Sequence, residues 1–243
     1  MDSWLDQSGR FFNPSPRVSA VPIAPGEFCV VIDEALANPE GLVEWATTQR
    51  FTRPDFSYPG LILDAPSPVT AMVADYFAQH VRPVLGGRRT LSARVRLSLV
   101  TLSPGELRPP QWQCHRDRLG PLPQGLCLAA MILYLFRDAA LGGTSFYRAL
   151  LSDGETERMI DDSDRMSAAE FGERYGLEAG YLNGSNRYFE RLAQVPAAWN
   201  RMLFYNSDRF HSGDIAQPER MSADPRAGRL TLNGFFTCRR AAR

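Results

Sequence analysis

The stretch Cys127-Leu128-Ala129-Ala130-Met131-Ile132-Leu133-Tyr134-Leu135-Phe136 is a nearly continuous apolar run. The run is long for a strand, but its apolar content is typical of a central strand in a sheet. Other strand-like segments surround it in the chain, at residues 28–33, 94–102, 142–147, 201–206 and 229–236. All but the first lie beyond residue 90, so the sheet core is expected at residues 91–243.

Residues 1–90 are expected to form a lead-in and a helical support lobe that packs on this core. Residues 1–25 contain Pro14, Pro16, Pro22 and Pro25, which predicts an extended segment. Asn38 can cap a helix that begins at Pro39 and runs to about Thr48. A second helix is predicted at residues 67–84, where apolar residues recur at helical spacing.

Residues 151–198 differ in character from the strands on either side of them. They are acidic at first, and helices are predicted near residues 167–175 and 185–193. We interpret this segment as a helical insertion between strands of the core. Helices first and many strands afterwards predict a mainly β protein with flanking helices, a double-stranded β-helix or jelly roll.

The charge of the chain excludes several classes of function. The formal net charge is zero, with 27 basic and 27 acidic residues, so no global field favours nucleic acid or an anionic membrane as a partner. All the basic residues are arginine. Because Schiff-base chemistry and the Walker phosphate loop both require lysine, neither is available to this chain.

The cysteines give no sign of a disulfide framework or a zinc ribbon. Cys29, Cys114, Cys127 and Cys238 contain no C-x-x-C pair, and we expect them to be reduced and mostly buried. No apolar run is long enough to span a bilayer, and the polar, acidic N-terminus does not resemble a signal peptide. A cytoplasmic location is therefore expected.

An H-x-D motif, His115-Arg116-Asp117, is followed much later by a second histidine, His211. Alternate residues of a strand point to the same face, so His115 and Asp117 can both face one ion. Two imidazoles and a carboxylate occupy one face of an octahedron and leave three positions open, as in oxygen-activating iron(II) sites. Zinc accepts the same donors, so these residues alone leave iron and zinc about equally supported. His80 lies on the apolar face of a predicted helix and is expected to be a partly buried structural residue.

Arg229 and Thr231 lie two residues apart on a predicted strand and therefore face the same side, and Asn233 continues the row. An arginine binds a carboxylate through two charge-assisted hydrogen bonds, and a threonine hydroxyl can add a third donor. Arg229 and Thr231 can therefore bind one carboxylate of a dicarboxylic 2-oxo acid, the one far from its oxo group. A solvated strand-edge charge is the alternative interpretation of Arg229.

The order of these motifs resembles the iron(II)- and 2-oxoglutarate-dependent oxygenases, in particular their prolyl-hydroxylase-like branch. The resemblance covers roughly residues 91–237. It rests on the H-x-D motif, on Leu133-Tyr134-Leu135 with Gly142-Gly143-Thr144-Ser145-Phe146, on His211-Ser212-Gly213 and on Gly228-Arg229-Leu230-Thr231. The chain is also similar to a bacterial subgroup of uncharacterised members, on Tyr58-Pro59-Gly60, Tyr188-Phe189-Glu190 and Asn200-Arg201.

The resemblance implies a role for each site residue. His115, Asp117 and His211 would hold iron(II), Arg229 would bind 2-oxoglutarate as cosubstrate, and Thr231 and Tyr134 would assist it. Arg226 remains an alternative for the carboxylate anchor, because the gap from His211 to Arg229 is longer than usual for the family.

The function implied is oxidation, such as hydroxylation, of a small-molecule or peptidyl substrate that the sequence does not identify. A non-catalytic metal-binding jelly roll that binds a ligand or a protein is the second hypothesis. An oxygenase that needs no 2-oxoglutarate is the third. The oligomeric state is not indicated.

Overall fold

Ten strands form two antiparallel sheets over residues 3–118 and 120–241, the part of the chain that a computed structural model describes. The larger sheet has seven strands, in the spatial order β1 (Arg17–Ala24), β2 (Glu27–Asp33), β8 (Met202–Asn206), β5 (Leu126–Tyr134), β10 (Arg229–Arg240), β4 (Gly87–Val100) and β3 (Gly60–Asp64). The smaller sheet has the order β7 (Phe189–Val195), β6 (Thr144–Ala149) and β9 (Phe210–Gly213).

Four α-helices accompany the sheets within the described residues: α1 (Pro39–Thr47), α2 (Ser67–Tyr76), α3 (Asp153–Arg165) and α4 (Ala168–Tyr175). A π-helical turn, Phe77–Val81, continues α2. Short 3₁₀ turns lie at Pro104–Glu106, Pro109–Trp112, Ala139–Leu141 and Pro218–Arg220. No helix in this part of the chain combines the length and the apolarity that a membrane crossing requires.

Alternation along β10 divides the larger sheet into two faces. Leu230, Leu232 and Phe236 pack on the face that carries α1 and α2, and the Phe236 ring stacks on Phe77 at 3.9 Å between centroids. The opposite face meets the smaller sheet, where Tyr134 of β5 and Phe146 of β6 belong to one buried cluster. Two antiparallel sheets packed face to face, with helices outside, confirm the expected jelly-roll class.

The helices α3 and α4 cover the outer face of the smaller sheet. Met159 and Phe171 from these helices share a buried cluster with Tyr147 and Phe210 of the sheet. Each helix begins with a capping box, at Ser152 and Ser167, in which the serine and a glutamate three residues later satisfy free backbone groups. The helix predicted near residues 167–175 corresponds to α4, whereas α3 forms in the acidic stretch, where no helix was predicted. The interpretation of residues 151–198 as an insertion stays a prediction.

Most predicted elements are confirmed with small changes in their ends. Asn38 caps α1 by accepting a hydrogen bond from the Gly41 amide at 3.1 Å. The strand predictions at residues 28–33, 94–102, 127–136, 142–147, 201–206 and 229–236 correspond to β2, β4, β5, β6, β8 and β10. The second helix prediction covers α2 and its π-helical turn.

Three predictions were wrong or incomplete. The helix predicted at residues 185–193 is instead the strand β7, which pairs antiparallel with β6 from Phe189 to Val195, because sheet pairing overrides the helix propensity of Leu192 and Ala193. The extended lead-in ends in β1, an edge strand paired with β2. The strands β3 and β9 were not predicted at all.

Strands from both sides of residue 90 contribute to one sheet, since β2 pairs with β8 and β3 pairs with β4. The division into a lobe at residues 1–90 and a core at residues 91–243 stays a prediction.

Candidate metal and cosubstrate site

A cavity of about 580 Å³ lies between the two sheets. The larger sheet contributes Arg229, Thr231 and Asn233 of β10 to its lining, and the smaller sheet contributes His211 of β9. His115 and Asp117 line it from the segment that precedes β5. The two groups of residues singled out in the sequence therefore face the same space.

His115 and His211 are joined through their backbones. The amide of each donates to the carbonyl of the other at 2.9 Å, which forms an isolated antiparallel bridge. The Asp117 amide donates to the Ser207 carbonyl at 3.0 Å. His115 and Asp117 were expected on one face of a strand. They lie instead on a segment that contacts β9 at His211 and the turn after β8 at Ser207, yet both side chains converge on His211.

The three side chains form a compact donor set. Ligand atoms of His115, Asp117 and His211 all lie within 4.8 Å of one another. The Asp117 Oδ1 atom is 3.6 Å from His115 Nε2 and 3.7 Å from His211 Nε2. The Asp117 Oδ2 atom is buried and has no hydrogen-bond partner within the described residues.

The hydrogen bonding of His211 prepares it as a ligand. Its Nδ1 lies 2.8 Å from the Arg209 carbonyl, and since a carbonyl can only accept, Nδ1 carries the proton. In the neutral ring the lone pair is then on Nε2, the atom that faces Asp117. Two nitrogen donors and an unsatisfied carboxylate oxygen fit a divalent cation.

His115 is held in its neutral form. Burial and the nearby His211 and Arg96 together lower the pKa of His115 to about 4, against the opposing effect of Asp117. The His115 side chain is 57% exposed and lines the cavity. A neutral imidazole can coordinate a metal without first losing a proton.

Arg229 is a buried cation that forms no ion pair in the described part of the chain. It is 4% exposed, and its Nε and Nη2 donate to the carbonyls of Gly142 and Gly143 at 3.2 and 2.9 Å. The nearby carboxylate of Asp214 contacts Arg191 instead, at 3.6 Å. Because an uncompensated buried charge is costly, this site favours an anionic ligand.

Tyr134 and Thr231 lie opposite each other across β5 and β10, and the Arg229 Cζ atom is 6.0 Å from the centroid of the Tyr134 ring. Thr231 lines the cavity, and Tyr134 lies behind the lining residues. The Tyr134 hydroxyl shares a hydrogen bond of 2.7 Å with Thr144 Oγ1, which links the two sheets. Asn233 Nδ2 donates to Thr231 Oγ1 at 2.9 Å. Burial raises the pKa of Tyr134 far above its usual range, so its phenol stays protonated and can donate.

The structure places Arg226 away from the cavity. Its guanidinium is exposed and pairs with Glu44 at 2.6 Å on the surface. His80 is also outside the cavity. It was expected to be partly buried, but it is exposed, with its ring 4.8 Å from that of Tyr76.

Sequence reasoning missed several residues of the cavity lining, above all Arg96, Gln113 and Tyr181. The signal for Arg96 was its position in the alternating run Arg94-Val95-Arg96-Leu97-Ser98, which places it on the face opposite the apolar residues. Tyr58, part of the motif Tyr58-Pro59-Gly60, also lines the cavity.

Comparisons with known proteins identify a family but no curated relative. Residues 14–236 match the family described as "Family of unknown function (DUF6445)". No curated protein matches the chain.

Several solved structures are similar to the chain at low sequence identity. They include the alpha-ketoglutarate-dependent carbocyclase SnoK from nogalamycin biosynthesis (12% identity, 89% of this chain and 81% of that one, TM-score 0.48). They also include HygX from Streptomyces hygroscopicus with nickel, 2-oxoglutarate and hygromycin B bound (14%, 86% and 82%, TM-score 0.42). A Pseudomonas putida prolyl-4-hydroxylase is a third (14%, 84% and 84%, TM-score 0.39). Likeness at this level does not identify a reaction.

Proposed function

The chain belongs to the DUF6445 family, whose function is unknown, and on its own residues we propose that it is an iron(II)- and 2-oxoglutarate-dependent dioxygenase. Its substrate would be a small molecule or a peptidyl side chain, and hydroxylation is the simplest reaction. The resemblance of the motifs around His115 and Arg229 supports the prolyl-hydroxylase-like branch of these enzymes as the branch to which we assign it.

One observation carries this proposal: a metal-ligand set and a buried arginine, which forms no ion pair with any described residue, line the same cavity. A structural zinc site needs the first of these features but not the second. A metal ion held by the three ligands could be chelated by the 2-oxo acid end of a ligand. The Arg229 guanidinium could bind a second carboxylate at the other end of the same ligand. 2-Oxoglutarate has this chemistry.

Each residue then has a distinct role. His115, Asp117 and His211 would hold iron(II), which when bound supplies the oxidation of a substrate C–H bond coupled to conversion of 2-oxoglutarate into succinate. Arg229 would bind the far carboxylate through the donors that Gly142 and Gly143 leave free. Thr231 and Tyr134 would add hydroxyl donors beside it, and the Tyr134–Thr144 contact keeps the Tyr134 ring in place.

The first experiment is anaerobic addition of iron(II) and then 2-oxoglutarate, with observation of the weak visible charge-transfer band of the chelate. The chain has three histidines, and only His80 lies outside the site. His80→Ala is therefore a matched control for His211→Ala. We expect the band in the wild type and in His80→Ala, and its loss in His211→Ala.

Two other outcomes would contradict the proposal. Zinc binding that depends on His211, with no band and no affinity for 2-oxoglutarate, would favour a metal-binding module. Iron binding with oxygen consumption but without succinate would favour an oxygenase that needs no 2-oxoglutarate.

A further inference from the structure

Arg96 occupies the cavity beside the metal ligands and has no role in the site described so far. It lies on β4 directly opposite Asn233 of β10, and two residues from Ser98, which is opposite Thr231. Its side chain lines the cavity. It is also close enough to the donor set for its charge to interact with Asp117 and His115.

Aromatic rings fix the orientation of its guanidinium. The Arg96 Cζ atom is 4.7 Å from the ring centroid of Phe56, 4.6 Å from that of Phe235 and 5.8 Å from that of Tyr58. Contacts of this kind hold the planar group in place through cation–π attraction. Three rings from two parts of the chain thus present a preoriented cation to the cavity.

The charge of Arg96 is not neutralised within the residues that the structure describes. It forms no ion pair among them, and its Nε is buried without a hydrogen-bond partner. Arg116 and Arg118, which also line the cavity, both contact Glu157. Burial lowers the pKa of Arg96, which reports the cost of holding the charge there. Unlike these two arginines, Arg96 is available to a ligand.

We propose that Arg96 binds the carboxylate of the primary substrate, which is therefore a small carboxylic acid. A single guanidinium is planar and carries one positive charge. It can therefore donate two parallel hydrogen bonds to the two oxygens of one carboxylate, which is also planar and carries one negative charge. A phosphate dianion would require further cations. Of the other arginines in the cavity, Arg116 and Arg118 contact Glu157, and Arg229 is assigned to 2-oxoglutarate. This inference rests on the proposed function, since it assumes that the substrate sits beside the metal.

The test is isothermal calorimetry on zinc-loaded protein saturated with 2-oxoglutarate, in which no turnover occurs. The probes are amino acids, hydroxy acids and short aliphatic and aromatic acids, each compared with its own carboxamide. The key variant is Arg96→Gln. Arg94→Gln, on the same strand with its exposed Asp64 pair, is the matched control. Arg96→Lys keeps the positive charge and a long aliphatic side chain but loses the planar pair of hydrogen-bond donors.

We expect at least one acid to bind the wild type and Arg94→Gln, and its carboxamide not to bind. Removal of a charge-assisted pair should weaken that acid by about 10- to 100-fold in Arg96→Gln, with Arg96→Lys in between. If no acid distinguishes the wild type from Arg96→Gln, the proposal is overturned. It is also overturned if Arg96→Gln weakens 2-oxoglutarate as much as Arg229→Gln does, because Arg96 would then belong to the cosubstrate seat.

The failure of this inference can be told from failure of the proposed function. If the wild type does not bind 2-oxoglutarate, the proposed function fails. The comparison of acids with carboxamides is then made on metal-free protein. Acid binding that is weakened in Arg96→Gln would still show that Arg96 binds a carboxylate, and acid binding that is unchanged would overturn the inference.

Discussion

His115 and His211 exchange backbone hydrogen bonds of 2.9 Å in both directions, although they are 96 positions apart in the chain. The donor set of the site is thus assembled by main-chain atoms. The two imidazoles are free to serve a ligand, since their side chains contribute nothing to the bridge itself.

We expect His115→Ala to abolish most of the metal affinity without unfolding the protein. The bridge uses only backbone atoms, so the thermal midpoint should change little. Loss of a metal-binding nitrogen should cost more than the roughly 10- to 100-fold typical of groups that only orient a ligand. Competition for zinc with a chromophoric chelator measures this, with His80→Ala as the control. Unchanged affinity in His115→Ala would remove this residue from the site.

The second prediction distinguishes Arg229 from Arg226. Arg229→Gln should weaken 2-oxoglutarate by about 10- to 100-fold, since charge-assisted hydrogen bonds are lost, while zinc affinity is kept. Arg226→Gln removes only an exposed pair with Glu44 and should leave both affinities unchanged. Calorimetry on the zinc-loaded variants provides the comparison. If Arg226→Gln weakened 2-oxoglutarate and Arg229→Gln did not, the far carboxylate would not bind at Arg229.

The third prediction concerns the contact between the two sheets. Tyr134→Phe and Thr144→Val each remove one partner of a buried hydrogen bond of 2.7 Å. Each should lower the free energy of unfolding by about 1 kcal/mol. Because both changes break the same bond, the double variant should lose less than the sum of the two. Denaturant unfolding of the four proteins tests this, and strict additivity would show that the bond does not contribute.

The fourth prediction concerns the four cysteines, all of which are free and buried. Burial raises the pKa of Cys29 to about 12, and that of Cys114 well above its usual range. Since the thiolate is the reactive form, alkylation by iodoacetamide should be slow in the native protein and should change little between pH 7 and 9. All four thiols should react after denaturation.

The raised pKa values of the buried thiols also make the free energy of unfolding depend on pH. A raised thiol pKa in the native state means that ionisation favours the unfolded chain. The free energy of unfolding should therefore fall as the pH rises above about 9, near the thiol pKa of an unfolded chain. Rapid labelling of a native thiol at pH 7 would contradict the burial of that residue.

The sequence allowed prediction of the parts of this molecule that local patterns determine. The apolar run of β5 and the Asn38 cap are local signals, and both are present in the structure. The spacing in the H-x-D motif and in Arg229-x-Thr231 was also sufficient to select side chains that line one cavity.

Features that depend on pairing between distant segments were not predictable. β7 contains Glu190, Leu192 and Ala193, which favour a helix, and only its partner β6 makes it a strand. Alternation along its strand marks the face on which Arg96 lies, but only the register places it opposite Asn233. The convergence of His115 with His211 depends likewise on a backbone contact that no local pattern encodes.

The position of β10 has a consequence for how the protein is made. Among the described strands it is the last in the chain, yet it lies between β4 and β5 near the middle of the larger sheet. During synthesis, β4 and β5 leave the ribosome well before the strand that joins them. Their facing edges stay open until about residue 240 emerges, and such unpaired edges promote association between chains. Slow translation of the segment from β6 to β9 would prolong that exposure.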